Sequence, residues 1–369
     1  MQASYLIYGA TGYTGELAAR LAASRGEKPI LAGRNEAAVA RLAAELGLSH
    51  RSFGLDDPAA LDRGLNDVQV VLHCAGPFSH TSKPMVDACL RRRVHYLDIT
   101  GEVTVFEACA ARDAEAKRAG VMLLPGVGFD VVPSDCLAAH LKERLPSATR
   151  LTLGFQALGR VSRGTATTML ENAHRGGLIR SGGRLTPVPA ASKTRVIDFG
   201  RGPKEAICIP WGDVSTAWYS TNIPNIEVYM AAPSAMRIGM RLMGLFGPLI
   251  AAGPVQRFLK KRIRSGAPGP TAEERARGAS YLWGEAKDDA GQVAIARLKT
   301  PEGYALTAES ALAVVGRVLA AEAPAGYQTP SSAYGADFIL TLPGCTRTDE
   351  DGARANGPAA VEPLPAPAP

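Results

Sequence analysis

Aromatic residues make up only 6% of this 369-residue chain, and it has only six cysteines and six histidines. A core poor in aromatics has to be built from aliphatic side chains and alanine. The cysteines (Cys74, Cys89, Cys109, Cys136, Cys208 and Cys345) form no Cys-x-x-Cys pair, and no histidine stands at zinc-finger spacing from them. That excludes the common zinc modules and predicts reduced, mostly buried thiols with no metal site. His50, His73, His80, His95, His140 and His174 show no ligand spacing either. Neither charge sign dominates: 41 Lys plus Arg against 35 Asp plus Glu leave +6. This suits an anionic small ligand but is too little for nucleic acid. The chain opens directly on a strand-like run without a basic leader, so no signal peptide and a cytoplasmic location are expected. Its longest uncharged apolar stretch, Leu242 to Gln256, falls short of the ~20 residues that span a bilayer.

The first third alternates strand-like and helix-like segments. Strands are expected at Tyr5–Tyr8, Pro29–Ala32, Val68–Cys74, Val94–Leu97 and Val121–Leu124. Helices are expected at Gly12–Arg25, Glu36–Leu46, Pro84–Arg92 and Val103–Ala119. Repeated units of this kind give an α/β fold, a doubly wound parallel sheet. After Pro133 the pattern changes: Ser134 reads as the cap of a helix reaching Leu145, followed by β-branched segments that predict an antiparallel α+β domain. The expected organisation is a dinucleotide domain over 1–133, an α+β substrate domain over 134–300, a C-terminal segment over 301–345 with a strong helix at Ala305–Ala321, and a Pro-rich disordered tail over 346–369.

Gly9-Ala-Thr-Gly12-Tyr-Thr-Gly15 follows the first strand and opens the first helix. Glycines at this spacing permit a tight turn, close approach of a pyrophosphate to backbone, and close helix packing. The helix N-terminus adds amides and a positive dipole end. The alternative is a βα turn without a ligand. No Gly-Lys-Ser/Thr follows, which excludes a P-loop. Thr11, Tyr13 and Thr14 lie in the same turn and join the expected cofactor contacts. An NAD-binding fold usually ends its second strand in an acid. Here the strand ends Gly33-Arg34, and a guanidinium fits a 2′-phosphate by a bidentate pair, so NADP(H) is expected in preference to NAD(H). The alternative for Arg34 is a solvated surface arginine.

Three further strand ends are unusual. Ala75-Gly76-Pro77 would let backbone pass close to the cofactor. Asp98 and Glu102 follow another strand, and Asp130 lies in Pro125-Gly-Val-Gly-Phe-Asp130. These three acids are the candidate catalytic groups, for substrate positioning or proton supply; the alternative for each is a helix cap, a turn ligand or an inter-domain hydrogen bond. Tyr-x-x-x-Lys, His-Glu-x-x-His and Gly-x-Ser-x-Gly are absent. A bound nicotinamide would carry the hydride chemistry itself. The Leu242–Gln256 stretch is followed by Arg257, Lys260, Lys261, Arg262 and Arg264. It reads as a buried helix with a basic end, as a monotopic segment on an anionic membrane, or as a lipid-facing lip of the substrate site.

Together these residues resemble the saccharopine dehydrogenase-like oxidoreductases, in particular the trans-acting enoyl reductase group. The resemblance rests on Gly9–Gly15, Ala32-Gly-Arg34, Ala75-Gly-Pro-Phe78, Tyr96–Glu102 and Pro125–Asp130, then on Arg163–Glu171, Gly303-Tyr304, Thr307–Leu312 and Thr329–Ala333. It implies a Rossmann domain with an inserted mixed domain and a C-terminal segment that packs back on the first. It also implies an NADPH-dependent reductase of an acyl or lipid-like enoyl substrate. A saccharopine-type imine reductase and a non-catalytic NADP(H)-binding regulator are the alternatives. A small-molecule substrate, a peripheral membrane contact through 238–264 and a homodimer are the expected partners.

Overall fold

A computed structural model describes residues 4–157, 160–172, 176–232, 239 and 253–350. His174, most of the Leu242–Gln256 stretch and residues 351–369 lie outside the described residues.

The first sheet grows from continuous apolar strands: β1 (Tyr5–Tyr8) and β4 (Val70–His73) are buried at every position. Strands with both faces covered read this way because helices pack on each side. Around them lie β2 (Ile30–Gly33), β3 (His50–Ser52), β5 (His95–Asp98) and β6 (Met122–Leu124). With β15 (Gly326–Tyr327), the order is β15-β6-β5-β4-β1-β2-β3, all parallel. The order reverses between β1 and β4, and a crevice opens at such a point outside the carboxyl ends of the strands. Helix α1 (Tyr13–Ser24) leaves β1. Helix α2 (Glu36–Leu46) is capped by the Asn35 side chain, which accepts from Ala38 N, and ends on left-handed Gly47. The short helix α3 (Pro58–Gly64) precedes β4, and α4 (Phe78–Arg92) follows it. The single helix expected at 103–119 is two, α5 (Val103–Ala110) and α6 (Asp113–Ala119). Between them Arg112 turns to pair with Asp87 and Glu115, and Asp113 accepts from Tyr327 N of β15, 2.9 Å away.

Helix α7 (Val132–Arg144) crosses to the second sheet. Ser134 is inside it: its hydroxyl donates back to Val131 O, 3.1 Å, so the expected Ser134 cap is replaced by a start at Val132-Pro133. Pro133 needs no amide partner in the first turn. The second sheet has nine strands. Its main path is β10 (Thr194–Asp198), β11 (Pro203–Cys208), β12 (Asn225–Ala231), β7 (Arg150–Ala157), β13 (Ala279–Lys287), β14 (Val293–Pro301) and β16 (Thr346–Glu350). The hairpin β8 (Gly177–Ser181) and β9 (Arg184–Val188) joins at β12. The sheet is mixed, not purely antiparallel: β7 and β12 run parallel. The long connection between them carries α8 (Arg163–Asn172) and α9 (Asp213–Thr221), and a parallel pair needs such a crossover.

Strand β16 corrects the expected start of the disordered tail at 346: residues 346–350 pair with 295–299 of β14, and Arg297 pairs with Glu350. Three more helices complete the described chain, α10 (Gly253–Ser265), α11 (Ala272–Arg277) and α12 (Gly303–Leu319), together with the short α13 (Pro330–Tyr334). The last long helix, α12, packs on α1 and on β4 and β5, so the chain returns to the first sheet. One cluster of buried apolar side chains runs from Ile7 and Leu97 through Leu137 to Leu153 and Leu282, joining the two sheets. Among the described residues no helix is long and apolar enough to cross a membrane.

Candidate active site

The turn after β1 is shaped by what its glycines exclude. Gly9 adopts φ +81°, where an L side chain is strained, and a Cβ there would lie 2.8 Å from Ala75 N. A Cβ on Gly15 would lie 2.3 Å from Gly9 O. The turn is held by Gly9 N donating to Ala32 O (2.8 Å) and Gly12 N to Gly9 O (2.9 Å). Thr11 and Gly12 are exposed, and Gly12, the N-cap of α1, offers no side chain to the helix amides. This is a cradle of backbone donors that a side chain would fill, at the positive end of a helix, which fits a pyrophosphate.

Arg34 stands at the carboxyl end of β2 beside buried Gly33. It is exposed, and no hydrogen bond or ion pair engages its guanidinium among the described residues. On the other side of β1 the chain leaves β4 through Ala75-Gly76-Pro77, with exposed Gly76 and a cis Gly76–Pro77 bond. The predicted cofactor positions therefore converge on the carboxyl ends of β1, β2 and β4. These residues fit NADP(H): turn and helix amides for the pyrophosphate, Arg34 for a 2′-phosphate.

The three candidate acids separate. Asp98 has no exposure. Its Oδ2 accepts from Tyr96 Oη at 2.6 Å, and its Oδ1 from Thr100 N and Gly126 N, both at 2.9 Å. It ties the end of β5 to the turn after β6. Burial raises its carboxyl to about 6 despite those donors. Glu102 accepts from Phe78 N at 2.8 Å and Ser79 N at 3.1 Å, so it caps α4 across 24 residues of sequence. Both act as turn and cap ligands here: Asp98 is engaged by the Tyr96 hydroxyl and two backbone amides, and Glu102 by two backbone amides.

Asp130 differs. Its backbone carbonyl accepts from Trp211 Nε1 at 2.9 Å, while its carboxyl has no hydrogen-bond partner among the described residues. It lies against the Gly101 turn, where an added Cβ would be 2.8 Å from Oδ2. Burial raises this carboxyl to about 6. The loop carrying it is pinned from α12, with Phe129 N donating to Thr307 Oγ1 (3.0 Å) and Ser310 Oγ to Val127 O (2.7 Å).

Two residues not singled out as site candidates join it. Asp213, the first residue of α9, has no exposure, and among the described residues neither carboxyl oxygen has a partner within hydrogen-bond geometry. Burial, reinforced by the charges of Asp135 and Asp130, pushes it well above the usual carboxyl range. Tyr304, at the start of α12, accepts from Ser162 N at 2.6 Å, lies 2.8 Å from Thr165 Oγ1 and feels the Asp130 charge. Its ring meets Tyr13 of the glycine turn edge-on at 5.0 Å. Gly212-Asp213 carries no local motif, and only the fold brings it to Gly101: a Cβ on Gly212 would lie 3.4 Å from Gly101 O. Tyr304 had a weak signal, as part of the Gly303-Tyr304 segment of the resemblance. His73 is sealed in the sheet, with Nε2 3.0 Å from Thr81 Oγ1. Burial lowers it to about 3, so it stays neutral.

Residues 5–124 match the model of the saccharopine dehydrogenase NADP-binding domain. A trans-acting enoyl reductase of Mycobacterium leprae is 33% identical over 148 residues, which are 38% of this chain and 35% of that protein. A protein of the same name from Mycobacterium tuberculosis is 30% identical over 147 residues, again 38% and 35%. The match thus spans about a third of those relatives' length. In structure, apo saccharopine dehydrogenase (L-Glu forming) of Saccharomyces cerevisiae superposes with a TM-score of 0.64 at 11% identity, over 94% of this chain and all of that one. The chain therefore has the fold of saccharopine dehydrogenase, and its residues 5–124 match that family's NADP-binding domain, with NADP(H) as the cofactor.

Proposed function

We propose that the protein is an NADPH-dependent reductase of an acyl or lipid-like substrate whose carbon–carbon double bond is conjugated to a carbonyl. The carrying observation is the unpartnered Asp130 carboxyl in the turn after β6, set against Gly101 with Trp211 bonded to its backbone carbonyl and linked to the glycine turn through Tyr304 and Tyr13. Arg34 and the Gly9–Gly15 turn hold the cofactor. When bound, the nicotinamide supplies the hydride. Asp130 supplies the proton that completes the reduction, and Asp213, held neutral by burial, keeps the neighbouring charge low. Phe129, Phe155 and Trp211 form an aromatic wall that keeps water from the acid.

The names of the relatives support the enoyl substrate, as does the Leu242–Gln256 stretch in the sequence. An amino-acid substrate fits less well, because its carboxylates would meet Asp130 and Asp213, not a basic clamp. The test is NADPH oxidation by the purified protein, with an enoyl thioester in one set of assays and amino acid plus oxo acid pairs in another. Turnover of the thioester alone is expected. Turnover of the amino-acid pairs alone would overturn the substrate assignment, and absence of hydride transfer to any product would overturn the enzyme reading.

A further inference from the structure

Helix α10 turns a mixed apolar and basic face to solvent. Its sequence, Gly-Pro-Val-Gln-Arg-Phe-Leu-Lys-Lys-Arg-Ile-Arg-Ser, has five cations and no acid. At roughly 100° per residue, Arg257, Lys261, Phe258 and Arg262 fall in that order within about 140° of arc. All four are exposed, while Val255, Gln256, Leu259 and Ile263 on the opposite face are half-buried. The helix has thus already used its inner face on the protein, against α8. Phe258 is nevertheless 64% exposed, the highest value among the large hydrophobic residues described, and it sits between Lys261 and Arg262.

Nearby, α8 and the segment leading into it add Met169 (47% exposed) and Val161 (52%). The two helices are stitched together at their ends: Arg163 N donates to Pro268 O at 3.1 Å, and the Arg163 guanidinium bonds Gly266 O. Three of the six exposed large hydrophobics described in the molecule therefore belong to this one α8–α10 unit. An aromatic ring flanked by cations, with no acid on the helix, matches an interface where apolar chains lie beneath anionic headgroups.

We infer that the outer face of α10, through Phe258, Arg257, Lys261 and Arg262 with Met169 and Val161 beside it, docks the protein on an anionic lipid surface. This does not rest on the proposed substrate. It would, however, bring a bilayer close to the site, because Ser162, next to Val161, bonds Tyr304, which packs on Tyr13 of the cofactor turn.

The test uses the full chain and sedimentation with vesicles, either phosphatidylcholine alone or phosphatidylcholine mixed with phosphatidylglycerol. Binding is expected only to the mixed vesicles, with a loss as salt rises toward 1 M and the screening length shrinks to about 3 Å. The double variant Lys261→Glu, Arg262→Glu should abolish it. Phe258→Ser should weaken it about tenfold or more, the scale of burying one aromatic side chain. NADPH affinity serves as the check that each variant is folded. No binding to either vesicle, or equal binding to both, would overturn the proposal. So would charge-dependent binding that Phe258→Ser leaves intact, which would reduce the contact to electrostatic adsorption without insertion of the ring.

Discussion

At the residue scale, Asp130 and Arg34 carry the sharpest consequences. A proton donor works only while protonated, and burial holds Asp130 at about 6. The reductase rate should therefore fall as pH rises through about 6, and Asp130→Asn should be slower and lose that limb. A pH–rate profile of both proteins checks this, and an identical limb in the variant would remove Asp130 from the role. Stability gives a second readout with a definite sign. A carboxyl whose folded pKa lies above its unfolded value contributes stability that is fully present below about 4 and lost as pH rises through about 6. Asp130→Asn should consequently be the more stable protein at pH 8, by about 1–3 kcal/mol, with the gain vanishing near pH 4. Urea unfolding at both pH values measures it. For Arg34→Ala, loss of a charge-assisted contact of ~1.5–3 kcal/mol should weaken NADPH by about tenfold or more and leave NADH unchanged. Fluorescence titration with both cofactors decides, and equal affinities in the unaltered protein would refute the pairing.

At the element scale, the glycine turn and its supports invite paired substitutions. Gly15→Ala places a Cβ 2.3 Å from Gly9 O, so the turn must open, and both NADPH binding and thermal stability should drop. Gly316→Ala, exposed in the last turn of α12 where an added Cβ meets nothing within 4 Å, should instead stabilise by ~0.5–1 kcal/mol. Thermal melts of the two variants should move in opposite directions. Elements set by local signals were legible in the sequence: β1 and α2 lie where composition and spacing put them, and α2 has a local cap in Asn35 and a local stop in Gly47. The misplaced ends have distant causes. Helix α4 reads as starting at Pro84, because proline suits a first turn and costs a hydrogen bond inside a helix. It begins at Phe78 because Glu102, 24 residues on, caps it. Strand β16, Thr-Arg-Thr-Asp-Glu, lacks apolar alternation and exists through its ladder to β14 and the Arg297–Glu350 pair. The site divides in the same way: the glycine turn and Arg34 follow the first two strands and are readable from local sequence, whereas Asp213 is brought toward Asp130 by α9, far along the chain.

At the scale of the whole molecule, the question is whether the two sheets act as one body. Their apolar side chains form one continuous cluster, and a buried polar joint reinforces it. Arg180 of β8, 5% exposed, donates to Val214 O (2.6 Å), Gly183 O (2.8 Å) and Glu107 Oε1 of α5 (2.9 Å), and it lies over the Trp218 ring. Glu107 also accepts from Ser215 Oγ (2.7 Å) and Tyr219 Oη (2.9 Å). A second joint runs through the cofactor turn itself, where Tyr13 Oη donates to Pro270 O at 2.5 Å and accepts from Arg275 at 2.7 Å. A ligand on the first sheet should thus stabilise the second. In calorimetry the protein should unfold in one transition that NADPH moves upward as a whole, by mass action. Glu107→Ala leaves Arg180 buried without its counter-charge, a loss of ~3–5 kcal/mol. That variant should unfold in two steps, only one of which responds to NADPH. Two transitions already in the unaltered protein would show that the shared core and the Arg180–Glu107 joint do not couple the sheets. A single cofactor-responsive transition in Glu107→Ala would show that Tyr13 and the apolar cluster suffice.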